Sequence, residues 1–237
     1  MHKYLFLLIA IACSWGLLVA QTSSEPEKAR FEWGVQYGFN LSNFDNSLLE
    51  NCKDRVLADL LGGFAIRYTL SDVTAVRTEL ILDRVRSYIK SDHPYPYVFQ
   101  SKSTFKSTRL KLPVCVEFRG AGKAPDVRPI FGIGGYMAIP LSADMKEDFD
   151  YQSGNTNTGY IDIKEDYPQF IPGVQIRLGI NHKHSFWQIR YNHDLVSLKH
   201  PQLDVGSLQY HNVEFILGII GLKGWLEDMS PSSRAGK

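Results

Sequence analysis

The sequence has little net charge, few cysteines and only one long apolar run, which lies at its start. The formal net charge is +1, too small to create a field that gathers nucleic acid or an anionic membrane surface. The three cysteines stand far apart, without the close pairs and companion histidines of a zinc site. Beyond the first twenty residues no apolar run is long enough for a transmembrane helix. These absences argue against nucleic-acid binding, structural zinc and helical membrane spanning.

The first twenty residues have the three-part pattern of a secretory signal peptide. Lys3 supplies the basic start, an apolar stretch follows through Leu18, and a small residue at Ala20 offers a cleavage point before Gln21. An uncleaved anchor and lipid attachment at Cys13 are the alternatives. The pattern predicts export, and the mature protein would then enter an oxidising compartment.

Eight segments of the mature chain alternate bulky apolar residues with polar or small ones. In the first, Trp33, Val35 and Tyr37 fall on one face, while Gly34 and Gln36 fall on the other. A period of two sends successive side chains to opposite faces of a sheet, so the pattern predicts strands rather than helices. The eight segments are 31–41, 63–70, 76–83, 109–119, 129–139, 174–180, 187–194 and 213–219.

The connections between these segments alternate in length. Those predicted to be short turns are 71–72, 120–126 and 181–184, and those predicted to be long and polar are 42–62, 90–108, 140–168 and 197–210. An even number of strands with long loops at one end is typical of bacterial outer-membrane barrels. The fold class predicted is therefore all-β: a single closed antiparallel up-and-down transmembrane barrel of eight strands.

This organisation predicts four regions along the chain. A signal peptide spans 1–20, a short periplasmic segment 21–30, the barrel 31–221 and a C-terminal tail 222–237. Cys115 falls in the middle of a strand and Cys52 in a loop, so we expect both thiols to be unpaired.

The bulky apolar face is expected to point outward, into lipid. A soluble eight-stranded barrel would show the same alternation with its apolar residues inside. Such a barrel has room for few large side chains, and the bulky residues of this chain would overfill it. Aromatic residues near strand ends are expected to form the interfacial girdles of the outer surface; they are Phe31, Trp33, Tyr88, Phe105, Phe170, Phe186 and Tyr210.

The opposite face combines glycines with nearly balanced charges, which predicts a lumen filled by salt bridges and closed to ions. Seven cationic residues meet six anionic ones. The predicted lumenal charge network consists of Glu32, Arg67, Arg77, Glu79, Asp83, Arg109, Lys111, Glu117, Arg119, Arg177, Arg190, Asp194 and Glu214.

Several short motifs resemble one family of outer-membrane barrels. They are Gly34–Asn43, Thr78–Leu82, Leu110–Glu117, Pro129–Tyr136 and Gln188–Tyr191. In order and spacing the sequence resembles the PorT-like outer-membrane β-barrel family of Bacteroidota. The resemblance implies an integral outer-membrane barrel, and for some members an association with type IX secretion and gliding. The tail that follows the last strand, with Trp225, departs from the terminal aromatic residue common in such barrels.

No catalytic, cofactor-binding or metal-binding constellation is predicted. The histidines with candidate roles are His182, His184, His193, His200 and His211, and none has a spacing that implies a Ser/His/Asp site. Arg77, Glu79 and Asp83 are interpreted as charge partners rather than as an acid/base set. A lipid-modifying enzyme remains an alternative.

The function predicted is a structural or interaction role in the outer membrane of a Gram-negative bacterium. The expected partners are outer-membrane lipid and a protein bound through the extracellular loops, with no nucleic acid. The connection 140–168, which contains the acidic stretch Asp144–Asp150, is the expected contact site or a weak cation site. Tyr95, Tyr97 and Phe99 either form an adhesive loop tip or pack against the barrel.

Overall fold

The structure, a computed structural model, describes residues 30–45, 52–95, 98–120, 127–151, 153–163, 168–182, 184–196, 198–199 and 207–221. Within them the chain forms ten β-strands and no helix that could span a membrane. The strands are β1 Arg30–Asp45, β2 Cys52–Ser71, β3 Thr74–Tyr95, β4 Val98–Arg119, β5 Val127–Tyr151, β6 Thr156–Asp162, β7 Ile171–His182, β8 Ser185–Asp194, β9 Leu198–Lys199 and β10 Ser207–Ile220. The predicted signal peptide, the tail 222–237, Tyr97 and His200 lie outside the described residues.

Eight of the strands close into a ring. Neighbours pair in the order β1-β2-β3-β4-β5-β7-β8-β10, all antiparallel. β10 then pairs with β1 over the register from Gly34↔Ile220 to Asp45↔Gln209. A closed ring satisfies the backbone hydrogen bonds of every strand, as a bilayer requires. The predicted all-β, antiparallel, up-and-down barrel of eight strands is confirmed.

Two of the three short connections predicted at one end of the barrel are present, and the third, 120–126, lies outside the described residues except for Gly120. β2 and β3 are joined through a tight turn at Asp72 and Val73, and β7 and β8 through the residues between His182 and Ser185. The first residues of β1 and the last of β10 lie at the same end. We call it the short-turn end, and the opposite one the far end.

The prediction of long polar loops at the far end is wrong for much of their length, because the strands continue into these segments. β3 runs to Tyr95 and β4 begins at Val98, β2 already begins at Cys52, and β5 continues to Tyr151. Within the predicted loop 140–168, β6 pairs with β5 from Asp144↔Asp162 to Asp150↔Thr156. Cys52, placed in a loop by the sequence, is therefore the first residue of a strand. These extensions project beyond the apolar part of the barrel, since β3 and β4 have 22 residues each and a tilted strand crosses a bilayer in roughly 9–11.

Side-chain exposure follows the alternation in the sequence. Tyr37, Phe64 and Trp187 are among many large apolar residues on the outer surface, while Gln36 and Arg190 are buried inside. The outer apolar side chains form a continuous surface around the barrel, which we call the apolar belt. Several positions that face the interior are occupied by glycine. A side chain at Gly34, for example, would overlap the carbonyl oxygen of Ile219 where β1 pairs with β10.

Three of the seven aromatic residues predicted for the outer girdles are inside instead. Phe105, Phe186 and Tyr210 are buried. The physical reason is parity. Phe186 precedes the outward Trp187, Tyr210 is an even number of residues from the inward Glu214, and Phe105 is an even number from the inward Arg109. Their position near a strand end cannot override the face that the strand gives them.

Candidate functional site in the barrel interior

Glu79 is the hub of the barrel interior. Its carboxylate lies 2.5 Å from Arg77 Nε in an ion pair, and it accepts hydrogen bonds from Arg177 Nη1 at 3.0 Å and from Arg190 at 2.6 and 2.8 Å. The three arginines come from β3, β7 and β8, and all four side chains are fully buried. Three cations from different strands converge on this carboxylate because each strand sends every second residue inward.

Glu117 of β4 balances the excess of positive charge around that hub. Its Oε1 lies 3.5 Å from Arg77 Nη1 and 3.3 Å from Arg177 Nη1, so two arginines bridge two carboxylates. The amide of Gln188 also donates to this oxygen at 3.3 Å. A buried arginine is tolerable only when its charge is paired, and the two carboxylates supply that pairing for Arg77 and Arg177.

Two glutamine side chains accept further hydrogen bonds from the guanidinium groups of these arginines. Gln36 Oε1 accepts from Arg77 Nη2 at 2.9 Å and from Arg190 Nη2 at 3.0 Å. Gln188 Oε1 accepts from Arg190 Nε at 3.1 Å and Nη2 at 2.8 Å. Neutral amides thus add hydrogen bonds to Arg77 and Arg190 without changing the charge balance.

A second cluster lies nearer the far end, around Arg109 of β4. Its guanidinium donates to Asp83 at 2.7 Å and to Asp194 at 3.1 Å, and its Cζ lies 4.7 Å from the ring centroid of Tyr210. Asp83 also accepts from Asn40, and Asp194 from the hydroxyl of Tyr136. One arginine is therefore held by two carboxylates and an aromatic face.

Lys111 and Glu214 form an ion pair between the two clusters. Both side chains are fully buried. Glu214 Oε2 lies 3.9 Å from Arg190 Nη1, and Lys111 Nζ lies 5.5 Å from the ring centroid of Tyr136. The charged interior is thus continuous along the barrel.

A third set of contacts fills the interior towards the short-turn end. Arg67 donates to Glu32 at 2.6 and 2.9 Å, and Arg119 donates to the hydroxyl of Thr69 at 2.8 Å. Phe186 packs beneath Arg77, whose Cζ lies 4.0 Å from the ring centroid.

All thirteen residues of the predicted charge network thus face the interior; twelve are buried and Glu32 is half-buried. The residues that bring them together and that sequence reasoning did not include are Gln36, Asn40, Tyr136, Phe186, Gln188 and Tyr210. These residues occupy the same inward positions of the alternating strands as the charged residues do, but they carry no charge, so a selection by charge omits them.

The described candidates for acid/base chemistry lie in different parts of the barrel. Glu79 is bound by arginines, and Asp83 belongs to the separate cluster around Arg109. His193 and His211 lie opposite each other on β8 and β10, where each ring packs near Tyr191. His182 is exposed and His184 is half-buried. Among the described residues, no group of three His, Cys, Asp or Glu side chains is arranged to hold a metal ion. Cys115 is a free, buried thiol of β4.

The acidic stretch near the far end forms ion pairs on β4 and β5. Lys102 donates to Asp150 and Lys146 to Asp148, both at 2.9 Å. These bonds lower the pKa of both carboxyls and raise the pKa of both ammonium groups, and Thr158 also donates to Asp148. Both pairs lie on the strand extensions beyond the apolar belt.

The comparison with protein families identifies the class of this barrel. The sequence model of the family described as "outer membrane protein beta-barrel domain" matches residues 19–199, which is most of the chain. The chain belongs to this family. Its location is the outer membrane of a Gram-negative bacterium, so the short-turn end is periplasmic and the far end is extracellular.

Several solved structures resemble this family member at low identity. OprG of Pseudomonas aeruginosa is 12% identical with a TM-score of 0.45, covering 81% of this chain and 95% of its own. Neisserial surface protein A is 10% identical with a TM-score of 0.39, covering 81% and 99%. Ail, the attachment invasion locus protein of Yersinia pestis, is 11% identical with a TM-score of 0.38, covering 80% and 97%. No curated protein matches the sequence significantly.

Proposed function

We propose that the protein is a sealed, non-conducting barrel that anchors its extracellular hairpins in the outer membrane, with a structural or interaction role. The observation that supports a sealed lumen is the convergence of Arg77, Arg177 and Arg190 on Glu79, because their fully buried side chains occupy the middle of the ring. An eight-stranded barrel is just wide enough to be filled by side chains.

Planar-bilayer recording tests the sealed lumen. We expect the purified, folded protein to insert without steady ohmic conductance. A preparation with heat-modifiable gel mobility establishes that the barrel is folded. A stable, open channel of uniform conductance would contradict the proposal.

The extracellular hairpins are the proposed interaction surface. β6 carries Tyr160, a large aromatic side chain that is 78% exposed beyond the apolar belt, and such residues are enriched where proteins bind each other. A photo-crosslinking residue at Tyr160 is expected to capture one protein of defined mass in the native host. The matched control is the same residue at Leu178, which is exposed on the belt. Equal capture at both positions, or none at Tyr160, would contradict an interaction role for this hairpin.

We propose that the interior is not catalytic. Glu79 and Asp83, the carboxylates nearest to an acid/base arrangement, already accept hydrogen bonds from buried cationic or amide groups, which supports a structural role for these two residues. Unchanged lipid A and phospholipid profiles after gene deletion are expected. A specific change in acylation would instead favour a lipid-modifying enzyme.

A role in type IX secretion is the second candidate, supported by the sequence resemblance to the PorT-like family. The motifs Gly34–Asn43 and Leu110–Glu117 that carry it form much of β1 and β4. Co-purification of a stoichiometric complex with secretion proteins would support this role, and a protein that purifies without them in native membranes would oppose it.

A further inference from the structure

The barrel wall is interrupted between β2 and β3. The two strands pair without a break from Thr69↔Ala75 to Leu61↔Asp83, and pairing resumes at Val56↔Ser87. β2 advances five residues across this interval and β3 only four, so residues 57–60 form a bulge. Throughout the bulge β2 stays paired with β1, from Ser42↔Leu57 to Phe39↔Leu60. β2 therefore separates from β3 alone.

At this point β3 keeps its backbone ladder with β4, but on the β2 side it is held by side chains. The amide of Asn40 donates to the carbonyl oxygen of Arg84 at 2.7 Å, and the hydroxyl of Ser42 donates to that of Arg86 at 2.5 Å. Both donors come from β1, two strands away. The guanidinium of Arg86 donates from the other direction, to both oxygens of Asp59 at 2.8 Å and to the carbonyl oxygen of Ala58 at 2.9 Å.

A groove of about 770 Å³ opens on the outer wall at this interruption. Its lower part is apolar, with Phe39, Leu60 and Leu82 among its lining residues. Its upper part is polar, with Arg84, Arg86, Asp59 and Thr108. The groove thus straddles the extracellular edge of the apolar belt.

The mouth of the groove has more positive than negative charge. Arg84 is exposed and forms no ion pair among the described residues. Lys106, also exposed, is adjacent to the lining residues and lies directly opposite Arg86 across the β3–β4 ladder, and like charges in that position repel each other. Asp59 is bound to Arg86. Asp144, opposite Lys106 on β5, forms no ion pair with it in the described part of the chain.

We propose that this groove binds a phosphate-bearing lipid of the outer leaflet. One acyl chain lies along Phe39, Leu60 and Leu82, and the phosphate contacts Arg84 and Lys106. An apolar channel beside two cations that form no ion pair among the described residues fits such an amphiphile, because charge-assisted hydrogen bonds to phosphate and burial of an acyl chain act together. The inference goes beyond a sealed lumen, which needs no lipid site.

Native mass spectrometry of the full chain in neutral detergent tests the proposal, with phosphatidic acid as the probe and phosphatidylcholine as the comparison lipid. We expect one retained phosphatidic acid per barrel. The double variant Arg84→Gln, Lys106→Gln should weaken retention by about tenfold or more. The matched control is Lys146→Gln, a single-charge removal at the same end from a cation already paired with Asp148, and it should leave retention unchanged.

A second variant tests the apolar part of the groove. A side chain at Gly62, which also lines the groove, meets no atom closer than the carbonyl oxygen of Gln36 at 3.7 Å. Gly62→Phe should therefore fill the groove in a folded barrel and reduce retention. Gly135→Phe, on the outer face of β5, is its control, because the nearest atom there is the carbonyl oxygen of Gly173 at 3.4 Å. Heat-modifiable mobility verifies folding of each variant.

Three outcomes would overturn the proposal. If the double variant retained phosphatidic acid as well as the wild type does, Arg84 and Lys106 would not be the phosphate ligands. If Gly62→Phe retained it equally well, the groove would not be the binding site of the lipid. Competition by inorganic phosphate alone would indicate a free-phosphate site instead of a lipid site. None of these outcomes bears on conductance, so the sealed lumen is tested separately.

Discussion

Arg190 and Glu79 form a two-point ion pair at the centre of the barrel, with Nη1 2.6 Å from Oε2 and Nη2 2.8 Å from Oε1. The residues lie on β8 and β3, on opposite sides of the ring of eight strands. Paired in this way, the guanidinium and carboxylate connect distant parts of the wall through the lumen. The interior therefore acts as a polar core, while the apolar surface that a soluble protein would bury faces outward.

Removing the hub carboxylate should destabilise the barrel strongly. Glu79→Gln leaves Arg77, Arg177 and Arg190 with Glu117 and Glu214 as their remaining anions, and breaking a buried pair in this way costs about 3–5 kcal/mol. Urea unfolding of the barrel in vesicles measures the loss. The control Asp148→Asn removes a half-buried carboxylate at the barrel surface and should cost about 0–1 kcal/mol. Similar losses for the two variants would show that the hub does not hold the barrel together.

Lys111 and Glu214 should be strongly coupled in a double-mutant cycle. Either Lys111→Met or Glu214→Leu alone leaves a buried charge without its partner, with an expected cost of about 3–5 kcal/mol. The double variant replaces both charges by apolar groups and should recover much of that loss. Unfolding free energies of the four proteins give the coupling. Additive losses would contradict a direct buried pair.

The seam between β1 and β10 should not tolerate a side chain at Gly34. The added carbon of Gly34→Ala would overlap the carbonyl oxygen of Ile219, and because that atom belongs to the backbone, the two strands must separate. We expect loss of the compact, heat-modifiable form on gels. Gly62→Ala, with its nearest contact at 3.7 Å, is the control and should fold normally. A fully compact Gly34→Ala barrel would mean that the strands are less closely packed at this seam.

The strand extensions beyond the belt should show slow backbone amide exchange. Residues 100–108 of β4 pair with both β3 and β5, so their amides are hydrogen-bonded in the wall rather than exposed in a loop. Hydrogen–deuterium exchange of the protein in vesicles should find this stretch protected relative to a synthetic peptide of the same sequence. Exchange as fast as in an unstructured peptide would restore the loop predicted from the sequence.

The membrane-spanning part could be predicted well from the sequence, because its strands have lipid on one face and the polar barrel interior on the other. Lipid selects Trp33 and Leu80 on one face, while the interior selects Gln36 and Glu79 on the other, and the contrast reveals each strand. The same contrast assigned the thirteen charged residues to one face without any knowledge of which would meet.

Beyond the belt this contrast disappears. Lys102 and Thr104 face water from the outside of β4 while Ser101 faces inward, so both faces are polar and the strand looks like a loop. The bulge at residues 57–60 was also invisible, because a bulge depends on how two strands pair and alternation describes only one. Which interior residues form ion pairs depends on their positions along the barrel axis. The alternation of a strand shows only which face a residue occupies.

Tryptophan fluorescence provides the most direct measurement of the arrangement with apolar residues outside and charges inside. Trp187 is 65% exposed on the outer surface of β8, and replacing Trp15, Trp33 and Trp225 by Phe leaves it as the single tryptophan of the sequence. In vesicles, lipids brominated in their acyl chains should quench this fluorescence strongly, and aqueous iodide should have little effect. Quenching by iodide with no response to brominated lipid would place this face in water and contradict the account.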